Sequence, residues 1–179
     1  MPTSWSSAAA PWVQQRRGGW LARDARSCSS SAPLKVTREQ AFFFTPGEAT
    51  DWPAFIHHRQ PYIYGLFTPG QGVKVAEHHT GEPTDPDHRS FDVDPAGRER
   101  VVRYVEDWFP GLVSEPASAE TCLYTTTPTQ DFVVDRAGPL VVAAGFSGHG
   151  FKFVPLVGRL LADVALGGTG PDRLGLRLR

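Results

Sequence analysis

The sequence predicts an α+β chain: an antiparallel sheet with a packing helix, followed by a strand, a glycine turn and a second helix. Three observations predict it. Two short strand-like runs are joined by Thr68-Pro69-Gly70-Gln71, a hairpin signature. Asp94-Pro95 opens a stretch with helical period. The apolar run Leu140–Ala144 leads directly into Gly145-Phe146-Ser147-Gly148-His149-Gly150 and a second helical period.

Taken in order, residues 1–32 are rich in Ser, Ala and Arg and hold a few apolar anchors (Trp5, Trp12, Trp20, Leu21) without any period. No element is assigned there, and the segment reads as disordered or as a misassigned start. From Leu34 apolar and polar positions alternate before the Phe42–Phe44 run, and Thr45-Pro46-Gly47 breaks the strand. Pro61–Phe67 and Gly72–His78 are the hairpin arms. Asp94 caps a helix with Pro95 in first position; Val101, Val105, Trp108 and Phe109 fall on one face, and Pro110-Gly111 stops it. Thr121–Thr127 and Phe132–Asp135 are strand candidates, and Leu140–Ala144, apolar throughout, reads as a buried central strand. In the last helix Phe153, Val157, Leu160, Leu161 and Val164 mark the apolar face, which Gly167-Gly168 ends.

Composition excludes several classes. With 18 Lys+Arg against 19 Asp+Glu, scattered along the chain, there is no basic field for nucleic acid or an anionic membrane. The longest apolar run, near Leu140 to Gly145, falls far short of the ~20 residues that span a bilayer. Residues 1–11 lack the basic and apolar regions of a secretory signal, while Arg16, Arg17, Arg23 and Arg26, with no acid before Asp24, leave a mitochondrial-type leader open. Two cysteines, Cys28 and Cys122, make no disulfide scaffold, so the expected compartment is the cytoplasm. No metal is expected: in His57-His58 and His78-His79 adjacent strand residues face opposite ways, and no spacing that includes His88 or His149 resembles a zinc site. Ser147 is no nucleophile elbow, because His149 stands where that motif needs its second glycine. The glycine turn matches neither G-x-G-x-x-G nor a Walker A loop. It does bring backbone N–H groups and a positive helix end towards a ligand.

Two segments carry a resemblance: Cys122 to Asp135 (CLYTTTPTQDFVVD) and Val141 to Pro155 (VVAAGFSGHGFKFVP). In this order and about twenty residues apart, they resemble the C-terminal signature of the monomeric sarcosine oxidase / N-methyltryptophan oxidase family of FAD-dependent amine oxidases. Tyr64 to His78 (YGLFTPGQGVKVAEH), with Thr84 to Asp87 after it, is similar to that family's substrate-domain region, so the resemblance covers Pro33 to Leu166. It implies that residues 33–127 belong to the substrate-binding domain, 128–168 to the C-terminal piece of the FAD-binding domain, and 169–179 to a tail. Because no G-x-G-x-x-G occurs, it further implies that the N-terminal Rossmann part is absent, the chain being a fragment, half of a split gene or the product of a misread start.

The resemblance also assigns roles. Cys122 matches the cysteine that joins covalently to the flavin, a reaction of the thiolate; on residue type alone it is a small strand cysteine. Lys74 matches the lysine beside flavin N5 that promotes reaction of reduced flavin with oxygen. Lys152 matches the lysine that pairs with the substrate carboxylate, and a cation at a helix N-terminus is otherwise unfavourable. Gly145, Phe146, Ser147, Gly148, His149 and Gly150 would face the flavin pyrimidine edge through their backbone. His78 and Tyr64 match residues lining the substrate side, and Tyr124, two after the cysteine, shares its sheet face. The activity implied is oxidation of a secondary amine, an N-methylated or cyclic amino acid, by hydride transfer to FAD, with O₂ reoxidising the flavin to give H₂O₂. Two alternatives stay open: a non-catalytic flavin-binding module or half enzyme working with a separate Rossmann-bearing chain, and a remnant without a stable fold.

Overall fold

The computed structural model describes residues 34–47 and 52–168. Strand β1 (Lys35–Phe44) is the spine of a six-stranded sheet among these residues. Its order is β2 (Phe55–His57), β3 (Ile63–Thr68), β4 (Gly72–Glu77), β1 and β5 (Glu82–Pro83), with β6 (Ser118–Thr126) also paired to β1. Every pairing is antiparallel. The β1–β6 ladder runs from Lys35↔Thr126 to Phe43↔Ser118, whereas β4 meets β1 only at Phe42–Phe44 and β5 only at Thr37–Arg38. The β3–β4 turn is the predicted hairpin, closed by the Gln71 N–H on the Thr68 carbonyl at 3.0 Å.

Alternation along β1 divides its side chains between two faces. Phe42 and Phe44 are fully buried on one, with Ile63 of β3 and Val73 and Val75 of β4. Helix α1 (Pro95–Trp108) closes that face with Val101 and Val105. Its start is fixed twice. The Asp94 side chain accepts from the N–H groups of Ala96 (3.3 Å) and Gly97 (2.8 Å), as the Asp-Pro pair predicts. Gln40 of β1 accepts from the Asp94 N–H at 2.9 Å, which ties the cap to the sheet.

An ion pair also crosses this layer. Glu77, 3% exposed, receives Arg100 of α1 through Nε at 2.9 Å and Nη2 at 2.8 Å, and the Thr80 hydroxyl at 3.1 Å. Arg100→Ala leaves a buried carboxylate without its counter-charge. Breaking a fully buried pair costs several kcal/mol; because Arg100 is half exposed, a loss of about 2 kcal/mol is expected. Urea unfolding should therefore show a clearly lower midpoint with unchanged slope.

Three expectations need correcting. Trp108 is 48% exposed and not on the buried face: it is the last residue of α1, one turn past Val105, and its ring lies beside His57 and Tyr104 with Arg59 over it. The continuous apolar run β8 (Leu140–Ala144) is not a buried central strand. Among the described residues it pairs only with β7 (Val133–Ala137), and Leu140 is 53% exposed. Apolarity alone does not distinguish a central strand from a hairpin arm covered on one face. The cover here is α2 (Val154–Ala165), which buries Val157 and Val164. The third concerns His78 and His79, treated with the site. Strands β2 and β5, three and two residues long, were too short to show a period. Residues 1–32 and 169–179, read above as an unassigned start and a tail, lie outside the described residues.

Candidate active site

The sheet face turned away from α1 gathers most of the predicted site residues. With Phe42, Phe44, Val73 and Val75 committed to the core, strict alternation places Lys74 on the opposite face. The register Glu39↔Cys122 and Thr37↔Tyr124 puts the cysteine and the tyrosine there too, and Tyr64, paired with Ala76, joins them from β3. The Lys74 ammonium sits 5.9 Å from the centre of the Tyr64 ring.

Just past the end of β4, His78 reaches over this face. Its Nδ1 lies 3.3 Å from the Tyr124 hydroxyl, which is 3.5 Å from the Tyr64 hydroxyl. Burial, then the neighbouring His79, His149 and Lys152, lower the His78 pKa to about 4, so the imidazole is neutral at neutral pH. Burial and the Tyr64 hydroxyl push the Tyr124 phenol well above its ordinary range. His78 and His79 do not face opposite ways. The strand ends at Glu77, His79 has φ of 60°, and the two rings lie 4.1 Å apart, both 5.4 Å from the Tyr124 ring. Alternation holds only while the backbone stays extended. Even so, no group of three metal-binding side chains occurs among the described residues.

The glycine turn docks on the end of β6. The Ser147 N–H donates to the Thr125 carbonyl at 3.0 Å, and Phe146 bridges to Thr126. Ser147 is fully buried, with φ of 49° and its hydroxyl donating to the Gly145 carbonyl at 3.0 Å. The His149 N–H donates to the Phe146 carbonyl at 3.0 Å. The turn therefore does not offer all its N–H groups to a ligand: those of Ser147 and His149 are used in holding the turn. Gly148 lies against Tyr124 so closely that a Cβ would come within 2.2 Å of its ring. Gly150 ends the turn, and the short 3₁₀ segment Phe151–Phe153 that follows carries an exposed Lys152.

A cavity of about 770 Å³ opens where turn and sheet meet. Tyr64, His78, Gly148, His149 and Lys152 line it, together with apolar Ile56 and Leu66. Sequence reasoning missed Ile56, which sits on the short strand β2. Lys74 and Cys122 are not in this lining; they lie beside it on the same sheet face.

The Cys122 side chain is exposed, yet nearby protein raises its thiol pKa, an effect that Lys74 opposes and Glu39 reinforces. In a Cys28→Ser background, alkylation of Cys122 should reach half-maximal rate at a higher pH than a free cysteine, and Lys74→Met should move that midpoint higher still. A downward shift on losing Lys74 would contradict the arrangement.

A family model described as FAD dependent oxidoreductase matches residues 8–164, beginning upstream of Pro33. The chain belongs to that family. This FAD dependent oxidoreductase chain is 32% identical over 178 residues to monomeric sarcosine oxidase of Arthrobacter sp. (strain TE1826), covering 93% of the chain and 46% of the relative. A probable sarcosine oxidase of Arabidopsis thaliana is 39% identical over 144 residues, 72% of the chain and 34% of the relative. The chain thus spans about half or less of the length of the curated relatives it matches. Among solved structures, the amino acid oxidase NikD in its open form has a TM-score of 0.67 at 24% identity, and L-proline dehydrogenase from P. horikoshii 0.69 at 22%. These cover 82% and 86% of the chain, 42% of each neighbour, and show the shared fold. No helix among the described residues is long and apolar enough to cross a membrane.

Proposed function

We propose that this chain carries the substrate-side half of a cytoplasmic FAD-dependent oxidase acting on a secondary amine of the N-methylated or cyclic amino-acid type, with O₂ as acceptor. The observation that carries the reading is the convergence of Tyr64, His78 and Lys152, from three separate segments, on one cavity, with Cys122 and Lys74 on the adjoining sheet face. The residues fit a flavin: the thiol is exposed and an ammonium stands on the same sheet face. Cys122 would hold the cofactor, covalently, and the turn Gly145–Gly150 would approach it. When bound, FAD accepts the hydride and hands the electrons to oxygen. Lys152 binds the substrate carboxylate. His78, neutral and with its Nδ1 against the un-ionised Tyr124 hydroxyl, would place a polar group at the amine without adding charge there. Lys74, on the adjoining sheet face, would promote reaction of the reduced cofactor with oxygen, and the Gly145–Gly150 backbone would stabilise the negative charge of the reduced ring.

In this reading residues 33–127 supply the substrate domain and 128–168 the last piece of the FAD domain. A second reading, a flavin-binding module completed by a separate dinucleotide-binding chain, is favoured by apolar residues that face solvent near the cavity, Ile56 at 62% and Phe151 at 92% exposure. The visible absorption spectrum of the full chain, gel-filtered after incubation with FAD, tests the first reading. Flavin absorption that travels with the protein supports it; a soluble, colourless protein assigns the activity to an assembly with a dinucleotide-binding partner.

A further inference from the structure

Glu39 has entered so far only through its charge on the Cys122 thiol, yet it is one of the most buried charged residues described, 2% exposed in the middle of β1. A carboxylate taken out of water is costly unless its oxygens are bonded, and here they are. Oε1 accepts the Thr37 hydroxyl at 2.6 Å, and Oε2 accepts two backbone N–H groups, from Gly81 at 3.0 Å and Thr80 at 3.2 Å. Both N–H groups belong to the segment that carries the chain from His78 to β5.

The segment is also held by the His78 N–H on the Tyr62 carbonyl at 2.8 Å and by the Thr80 hydroxyl on Glu77 at 3.1 Å, but the Thr80 and Gly81 amides are bonded by Glu39. His79 departs from extended geometry at φ of 60°, and β5 meets β1 through only two residue pairs, Thr37↔Pro83 and Arg38↔Glu82. Glu39 lies opposite Cys122 on one side of β1 and holds the Thr80–Gly81 backbone on the other. We propose that Glu39 is a positioning residue: by gripping the Thr80 and Gly81 amides it folds the end of β4 back over the sheet and sets His78 against the Tyr124 hydroxyl. The inference rests on the reading above for what His78 and Tyr124 do, but it concerns geometry that needs no flavin to be observed.

Reach and charge can be separated. Glutamine keeps the length: its carbonyl oxygen still accepts both amides and its NH₂ donates to Thr37. Aspartate keeps the charge but is one methylene shorter, which takes both amides out of hydrogen-bond range. The readout is the titration of the His78 imidazole in the full 179-residue chain, followed by NMR from about pH 8 downwards. The charged or titratable groups that face His78 are His79 from its own segment, Tyr64 from β3, Tyr124 from β6, His149 from the glycine turn and Lys152 from the 3₁₀ segment after it. None is replaced in these variants; Gln and Ala also remove the Glu39 charge that raises the His79 pKa, whereas Asp keeps it, so a rise in Asp reports reach alone. Glu39→Gln should leave His78 at about 4, while Glu39→Asp and Glu39→Ala should free the segment and let it rise towards its ordinary value of 6.5. Amide exchange at Thr80 and Gly81 should accelerate in Asp and Ala and stay slow in Gln. If Ala fails to fold, Asp decides. The proposal is overturned if Asp leaves His78 at about 4, or if Gln raises it as much as Asp does, since charge rather than reach would then be at work. A general loss of stability would lower unfolding midpoints without giving this order.

Discussion

Cys122→Ala is expected to abolish acid-stable flavin in protein that has taken up FAD. In the wild type the colour should stay with the acid precipitate; in the variant it should pass wholly to the supernatant, and Cys28→Ala should behave as wild type. The physical case is one of access and charge. The thiol is exposed on the sheet face, so a planar ring can approach it; the surrounding protein raises its pKa, Lys74 opposes that rise, and Glu39 adds to it. Because the side chain is exposed and truncation to alanine leaves no internal cavity, the cost in stability should stay within about 0.5 kcal/mol. Lost colour in a variant with an unchanged unfolding midpoint would then report the missing bond and not a damaged fold. Retention of colour in the Cys122→Ala pellet would remove Cys122 from the proposed site.

Gly148→Ala should be the most damaging single change in the turn. With φ of 75°, an alanine there pays the left-handed penalty of ~1–2 kcal/mol. The added Cβ would also stand 2.2–2.5 Å from three atoms of the Tyr124 ring. That ring is buried and flanked by His78 and His79, so it cannot move aside freely, and overpacking of this kind adds ~1–3 kcal/mol. A total loss of about 2–5 kcal/mol is expected, read as a fall in the urea midpoint, together with an upward shift in the His78 titration as Tyr124 is displaced. Gly158→Ala is the contrast: it lies within α2 with nothing near its missing Cβ, and alanine should be neutral or stabilising by up to about 1 kcal/mol. Equal effects at both positions would show that Gly148 and Tyr124 are not in contact.

Much of this architecture was legible in residue order because it depends on local rules. The Asp94 cap, the Pro95 start and the Val101/Val105 stripe place α1. Thr68 to Gln71 places the hairpin, and period-two alternation puts Cys122 and Tyr124 on one face without reference to any partner strand. The motifs from Cys122 to Asp135 and from Val141 to Pro155 carried the family, which the whole-chain comparisons share. What failed was what depends on neighbours distant in sequence. The Leu140–Ala144 run is equally apolar as a central strand or as a hairpin arm, and only the absence of a second ladder partner among the described residues separates the two. His79 escaped the alternation rule because one left-handed residue ends it.

Sequence alone determined the local elements, the face to which each strand residue belongs, and the family to which the motifs point. Tertiary structure decided which of these residues meet. A glutamate in an alternating strand reads as solvent-facing; Glu39 is buried because a segment some forty residues later crosses it and satisfies its oxygens. In the same way His78, Tyr124 and Gly148 come together through the β1–β6 register and the docking of the turn on Thr125 and Thr126. These are long-range contacts whose stability comes from shared burial, and no local pattern encodes them.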